Sequence, residues 1–155
     1  MCQSKVILLV DDDADCRSLV TGCILAAIPG ADVREAGGGC DALDFLRRQG
    51  RHSRAPRPDL ILMDVEMSDM NGLSVLQSIK SDPVLKDIPV VMLTGQQEPK
   101  LVYQAVRDGA DGYSVKHANP KAFFRNVRAI AEYWLGGPDG QTRSNTGHKS
   151  GRIAG

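Results

Sequence analysis

The sequence predicts a doubly wound α/β fold, a five-stranded parallel sheet with helices on both faces. Short runs rich in Val, Ile and Leu alternate along the chain with amphipathic, helix-period stretches in the pattern βαβαβαβαβα, which is how a parallel sheet with crossover helices reads. The runs at residues 6–10, 60–63 and 90–93 are continuously apolar, as strands covered on both faces must be. Those at 31–36 (ADVREA) and 111–116 (DGYSVK) are mixed and suit the sheet edges. Polar second and fifth strands at the edges match the doubly wound order 2-1-3-4-5, an order taken over from known sheets of this class.

Each helix follows from an i, i+3, i+4 apolar stripe. The first is Leu19, Val20, Cys23, Ile24, Ala27 and Ile28, and the second begins with Leu43, Phe45 and Leu46. Leu73, Leu76 and Ile79 make the third, and Leu101, Val102, Ala105 and Val106 the fourth. Phe123, Val127, Ile130, Ala131 and Trp134 make the last. Between the second helix and third strand, residues 47–57 (RRQGRHSRAPR) carry five arginines and no acid. They read as a solvated helix end, where cations are favoured, followed by a long loop, with a partner-docking patch as the alternative. Residues 1–135 are expected to form one domain, and the Gly-, Ser- and Asn-rich residues 136–155 a disordered tail.

Composition narrows the function classes. The formal net charge is zero over 155 residues, so no bulk field draws the chain to nucleic acid or an acidic membrane. No apolar run approaches a membrane span or a signal h-region, and no helix-turn-helix or basic recognition helix is seen. Cys2, Cys16, Cys23 and Cys40 form no CxxC pair. They are expected to be reduced and mostly buried in a cytoplasmic protein.

The chemistry gathers at the strand ends. In such a sheet, ligands bind beyond the carboxyl ends of the strands, where the order reverses. Strand 1 ends in Asp11-Asp12-Asp13, strand 3 in Asp64, strand 4 in Thr94-Gly95 and strand 5 in Lys116. Carboxylates so close raise one another's pKa unless a cation sits among them. A hard divalent ion such as Mg²⁺ fits oxygen ligands of this kind, keeping several waters and using one or two carboxylates plus a phosphate. Asp12 and Asp64 are expected to bind directly and Asp11 through water, while Asp13 caps the first helix. Beside such an ion, Asp64 can attack phosphorus and form an acyl phosphate, whose oxygens Thr94 and Lys116 would hold.

The motifs VDDD (10–13), LILMD (60–64), MNG (70–72), VVMLTG (90–95) and DGYSVK (111–116) resemble the CheY-like receiver domain of two-component response regulators, over about residues 5–135. The resemblance implies a flavodoxin/CheY-like (βα)5 fold. It implies Mg²⁺-dependent phosphotransfer from a histidine kinase or a histidine phosphotransfer protein to Asp64, the phosphoacceptor, with self-catalysed dephosphorylation and no other enzyme activity. It makes Asp11 and Asp12 the acidic pair and Thr94 and Lys116 the catalytic and switch pair. Tyr113 matches the switch aromatic, and the backbone carbonyl of Glu66 serves as a further metal ligand. The face of helix 4, strand 5 and helix 5 is the expected output surface and a possible homodimer interface. The loop before strand 3 and the ending EYWL (132–135) resemble stand-alone receivers paired with bacterial phytochromes.

The chain departs from this family pattern at three positions. His117 stands where a cis proline usually follows the lysine. A cis bond before a non-proline residue costs ~3–4 kcal/mol, so a trans Lys116–His117 bond is expected. Ser68 stands where the loop after the phosphoacceptor usually carries proline, and Gly95 replaces the commoner alanine. Glu66 adds negative charge near the site and is expected to modulate dephosphorylation. Two other readings compete with a phosphorylation switch. One is a receiver-like binding module that works without phosphorylation. The other is a phosphatase of the haloacid dehalogenase type, whose Asp-x-Asp pair Asp64-Val65-Glu66 resembles. That family, however, puts its nucleophile after the first strand and adds a cap.

Overall fold

The structure, a computed structural model, describes residues 4–95, 99–116 and 119–136, except the side chains of Pro99 and Leu101. Cys2, the Lys116–His117 bond and the tail from 137 onward lie outside the described residues. Strands β1 (Val6–Val10), β2 (Asp32–Ala36), β3 (Leu60–Asp64), β4 (Val90–Thr94) and β5 (Gly112–Val115) form one parallel sheet in the order β2-β1-β3-β4-β5. Helices α1 (Ala14–Ala27), α2 (Gly39–Arg47), α3 (Gly72–Lys80), α4 (Pro99–Arg107) and α5 (Pro120–Leu135) connect and follow them.

The three continuously apolar strands are central and buried throughout. Their side chains alternate between two cores, because successive residues of a strand face opposite ways. Leu8, Val10, Ile61, Met63, Val90 and Met92 pack toward α2 and α3 with Leu43, Phe45, Leu76 and Ile79. Ile7, Leu9, Leu60, Leu62, Val91 and Leu93 pack toward α1 and α5 with Val20, Ile24, Phe123, Val127 and Ile130. Each fully buried Leu or Ile contributes on the order of 1.5–3 kcal/mol, so the centre of the sheet is a stiff frame.

Capping fixes where the helices begin. Asp13 accepts from the N–H groups of Asp15 and Cys16 at the start of α1, as its place before the helix leads one to expect. Asn71 caps α3 and Asn119 caps α5. Helix α2 has a glycine, Gly38, at its N-cap. Its cap comes from 30 residues along the chain, where the Asp69 carboxylate accepts from Gly39 N–H at 3.0 Å and Cys40 N–H at 3.1 Å.

Two expectations need correction. Leu19 and Val106 are 58% and 50% exposed. Each sits about 100° around its helix from a buried neighbour, Val20 or Ala105, so the apolar stripe is wider than the buried face. The cysteines are less buried than expected: Cys16 and Cys23 are half-buried and Cys40 is exposed. Cys40 lies in the first turn of α2, at the rim of the sheet rather than over it. The arginine-rich segment is the exposed helix end and loop expected, and several of its side chains are also engaged locally. Arg51 and His52 both hold Asp41, Arg48 donates to Ala55 O, and Arg57 donates to Val84 O.

Gly72 opens α3 where it passes the end of β3. A Cβ there would meet the Asp64 carbonyl oxygen and come within 2.9 Å of Val65 Cα. Gly72→Ala is therefore expected to lower stability by about 1–3 kcal/mol through overpacking against backbone. Urea denaturation measures this, and an unchanged midpoint contradicts it.

Candidate functional site

Parallel strands deliver their carboxyl ends to one rim. β1 and β3 are adjacent, with Val10 beside Met63, so Asp11 and Asp64 leave the sheet side by side. β4 and β5 add Thr94, opposite Val115, with Lys116 next in the chain. The Lys116 backbone N–H closes the ladder by donating to Thr94 O at 2.7 Å. Its side chain then reaches back over the rim. Lys116 Nζ donates to Asp11 Oδ2 at 2.8 Å and lies 3.4 Å from Asp64 Oδ2.

Asp11 is almost wholly buried and held at every polar atom of its carboxylate. Oδ1 accepts from Asp13 N–H at 2.9 Å and Oδ2 from Lys116. Arg17 donates to its backbone carbonyl at 2.6 Å while pairing with Glu35. Asp64 is also buried. Burial pushes its pKa up to about 6, the Asp11 charge adds to this, and Lys116 opposes it. The Lys116 ammonium is itself partly buried. That burial works against its charge, but the bond to Asp11 and the charges of Asp64 and Asp11 outweigh it and hold its pKa above the ordinary lysine value.

Asp12 is the exposed member of the group. Its Oδ2 accepts from both Ser68 N–H (2.8 Å) and Ser68 Oγ–H (2.9 Å), and these bonds hold its pKa below the ordinary carboxylate value. Asp11, Asp12 and Asp64 each offer an oxygen within 4.8 Å of the others. Three hard oxygen donors with one ammonium among them match a divalent cation in both donor chemistry and charge.

Around this centre, Thr94 is buried at the end of β4. Glu66 is exposed, and its N–H donates to Asp64 Oδ1 at 3.4 Å. Its carboxylate lies over Gly95, 4.0 Å from where a Cβ would stand. Tyr113 is half-buried and packs on the α2–α3 core, opposite Met92. All the residues picked from the sequence thus fall on or next to one rim, with Tyr113 two residues before the strand end.

Sequence reasoning did not find the partners that hold this rim. Ser68 on Asp12 and Asp69 on the start of α2 are contacts between distant segments, and the Cys16 thiol is hydrogen-bonded to nearby Asp11. The signal for Ser68 was a departure from pattern, a serine at a usual proline position. Burial and the Asp11 contact push the Cys16 thiol up to about 11, so it is not a reactive thiolate.

A sequence model described as the response regulator receiver domain matches residues 7–128. Response regulator Rcp1 of Synechocystis sp. is 35% identical over 131 residues, covering 84% of this chain and 89% of that protein. The Mn²⁺-bound crystal structure of Rcp1 superposes with a TM-score of 0.80 over 84% of this chain and 94% of that one. The crystal structure of the phosphorylated cyanobacterial phytochrome response regulator RcpA gives a TM-score of 0.82 at 34% identity, over 86% and 95% of the two chains. The DNA-binding response regulator MtrA of Mycobacterium tuberculosis is 35% identical over 123 residues, or 79% of this chain. The chain spans about half of the length of MtrA, 49%.

The raised Asp64 pKa makes a stability prediction. The folded state holds this proton up to about pH 6, whereas an unfolded aspartate releases it near 3.8. Between these values the native state binds more protons, so stability falls as pH rises through the window and stays lower above it. With a chelator present, Asp64→Asn is expected to be more stable than the native chain at about pH 7, by on the order of 1–3 kcal/mol. That advantage shrinks as pH falls below about 6. A difference independent of pH in urea titrations contradicts it.

Proposed function

The chain belongs to the response regulator receiver domain family, and from that premise we propose that it is a single-domain phosphorylation switch in which Asp64 accepts a phosphoryl group from a phosphohistidine. The observation that carries this is the rim itself, where Lys116 Nζ sits 2.8 Å from Asp11 and 3.4 Å from Asp64, with Asp12 alongside. In the transfer, an Asp64 carboxylate oxygen forms a bond to phosphorus as the phosphorus–nitrogen bond of the donor histidine breaks. The electron pair leaves with the imidazole, which can take up a proton. Attack needs the carboxylate, and a neighbouring cation favours the ionised form that burial alone disfavours.

Receivers of this family hold a divalent metal at an acidic pocket, and Asp11, Asp12 and Asp64 form that pocket here. Mg²⁺ is the proposed ion, with Asp12, Asp64 and the Glu66 carbonyl as direct ligands and Asp11 acting through water. The ion supplies charge to the phosphoryl oxygens when bound. The chain's own part is to position the rest. The Lys116 ammonium, just past β5, and the Thr94 hydroxyl, at the end of β4, hold phosphoryl oxygens. Thr94 drawn toward the phosphoryl group leaves space into which Tyr113, packed at the edge of the core, turns. Such a step biases a two-state element rather than building a new one.

The proposed donor is a histidine kinase or a histidine phosphotransfer protein, in the cytoplasm. Among the described residues no helix is long and apolar enough to cross a membrane. RcpA is a cyanobacterial phytochrome response regulator, and a phytochrome-type kinase is the corresponding proposal here. Exposed Tyr103 and Val106 on α4 support output through the α4–β5–α5 face, including a homodimer. Residues 1–135 are the proposed receiver unit.

Incubation with acetyl phosphate and Mg²⁺ is expected to add one phosphoryl group by intact mass, and the gain is lost in Asp64→Asn or with chelator. A full gain in Asp64→Asn overturns the assignment of the acceptor. Because the Glu66 carboxylate lies beside Gly95, next to Thr94, Glu66→Ala is expected to change the half-life of the phosphorylated chain. An unchanged half-life removes Glu66 from the dephosphorylation path.

A further inference from the structure

The three carboxylates of the rim are not held alike. Asp11 and Asp64 are buried and share the Lys116 ammonium. Asp12 is exposed, and its hydrogen bonds come from a neutral residue, Ser68. An exposed aspartate beside two other carboxylates has both charge repulsion and side-chain entropy driving it outward. Two donors converge on its Oδ2 at 2.8 and 2.9 Å. A carboxylate oxygen has about two lone-pair sites, so Ser68 saturates Oδ2 and leaves Oδ1 for another ligand.

The anchor behind Ser68 is firm. The next residue, Asp69, is fastened to the first turn of α2 through Gly39 and Cys40 N–H. Three residues further on, Gly72 N–H donates to Val65 O at 2.8 Å and starts α3 against the Asp64 backbone. The loop from β3 to α3 is thus tied at both sides of Ser68, and Ser68 can hold Asp12 rather than follow it.

We infer that Ser68 is a positioning residue for the cation: its N–H and hydroxyl keep Asp12 turned into the acidic cluster, so that a divalent ion meets three gathered oxygens instead of two. This rests on the metal-dependent reading above and adds a determinant to it. Both donors matter separately. Alanine at 68 keeps the N–H and loses the hydroxyl, proline loses both, and threonine keeps both. A site whose competent form is only fractionally populated loses apparent affinity in proportion to that fraction.

The test is calorimetric titration of the full chain with Mg²⁺ alone, in native, Ser68→Thr, Ser68→Ala and Ser68→Pro forms, with urea stability measured in chelator for each. The expected order is threonine equal to native, alanine weaker by ~3-fold, and proline weaker by ~10-fold or more. Stability of the alanine form in chelator should match the native chain, which separates positioning of Asp12 from a general structural effect. Alanine and proline forms that bind as tightly as native, or more tightly because Ser68 competes with the ion, overturn the inference while leaving the metal site intact. A native chain that binds no Mg²⁺ overturns both this inference and the metal-dependent reading.

Discussion

The Lys116 ammonium spans two buried carboxylates, 2.8 Å from Asp11 and 3.4 Å from Asp64, and carries one charge between them. Taking two anions out of water at the edge of an apolar sheet is costly, and a single cation offsets only part of that cost. Asp12 adds a third negative charge on the exposed side. The rim is therefore left short of positive charge, and burial, with the Asp11 charge adding to it against Lys116, raises the Asp64 pKa to about 6. Fold and chemistry meet at this deficit. On the proposed reading a hard divalent ion would relieve it, beside the Lys116 ammonium and the Thr94 hydroxyl.

The deficit can persist only because the frame beneath it does not yield. β1, β3 and β4 are buried along their whole length, and their side chains divide between two cores that clamp the sheet from both faces. Mutual repulsion of the strand ends cannot splay strands packed this way. The connections are held by different means. Asp13 turns its carboxylate to the start of α1 and so serves the helix rather than the cluster. Asp69 does the same for α2 from a distant loop, drawing the segment after Asp64 against the rim. That segment carries Glu66 and Ser68.

The sheet and the acidic cluster were legible in the sequence because each has a local signature, whereas the strand order came from known sheets of the same class. Continuous apolar runs mark central strands, Asp11, Asp12 and Asp64 follow directly from where those runs stop, and Lys116 closes the mixed edge segment. The partners of these groups were not legible. Ser68 meets Asp12 across 56 residues, and Asp69 meets Gly39 across 30. No periodicity encodes such encounters. Burial was legible only to within about one residue around a helix, and so Leu19 and Val106 were counted with the core although both are exposed. The cysteines were misjudged because residue type predicts average burial, whereas Cys40 sits on a helix start at the rim. The ordered arginine segment depends on Asp41, a helical residue whose role is evident only once Arg51 and His52 fold back onto it.

The central claim is that Asp64 belongs to a rim short of one divalent cation. Titration of the Asp64 carboxyl carbon by NMR, with chelator and then with saturating Mg²⁺, addresses it at the atom concerned. Without the ion the carboxyl should titrate near pH 6, and with it the midpoint should fall below the ordinary value of 3.8. A midpoint near 3.8 under both conditions would mean that burial and Asp11 impose no charge deficit on Asp64, and the account would fail.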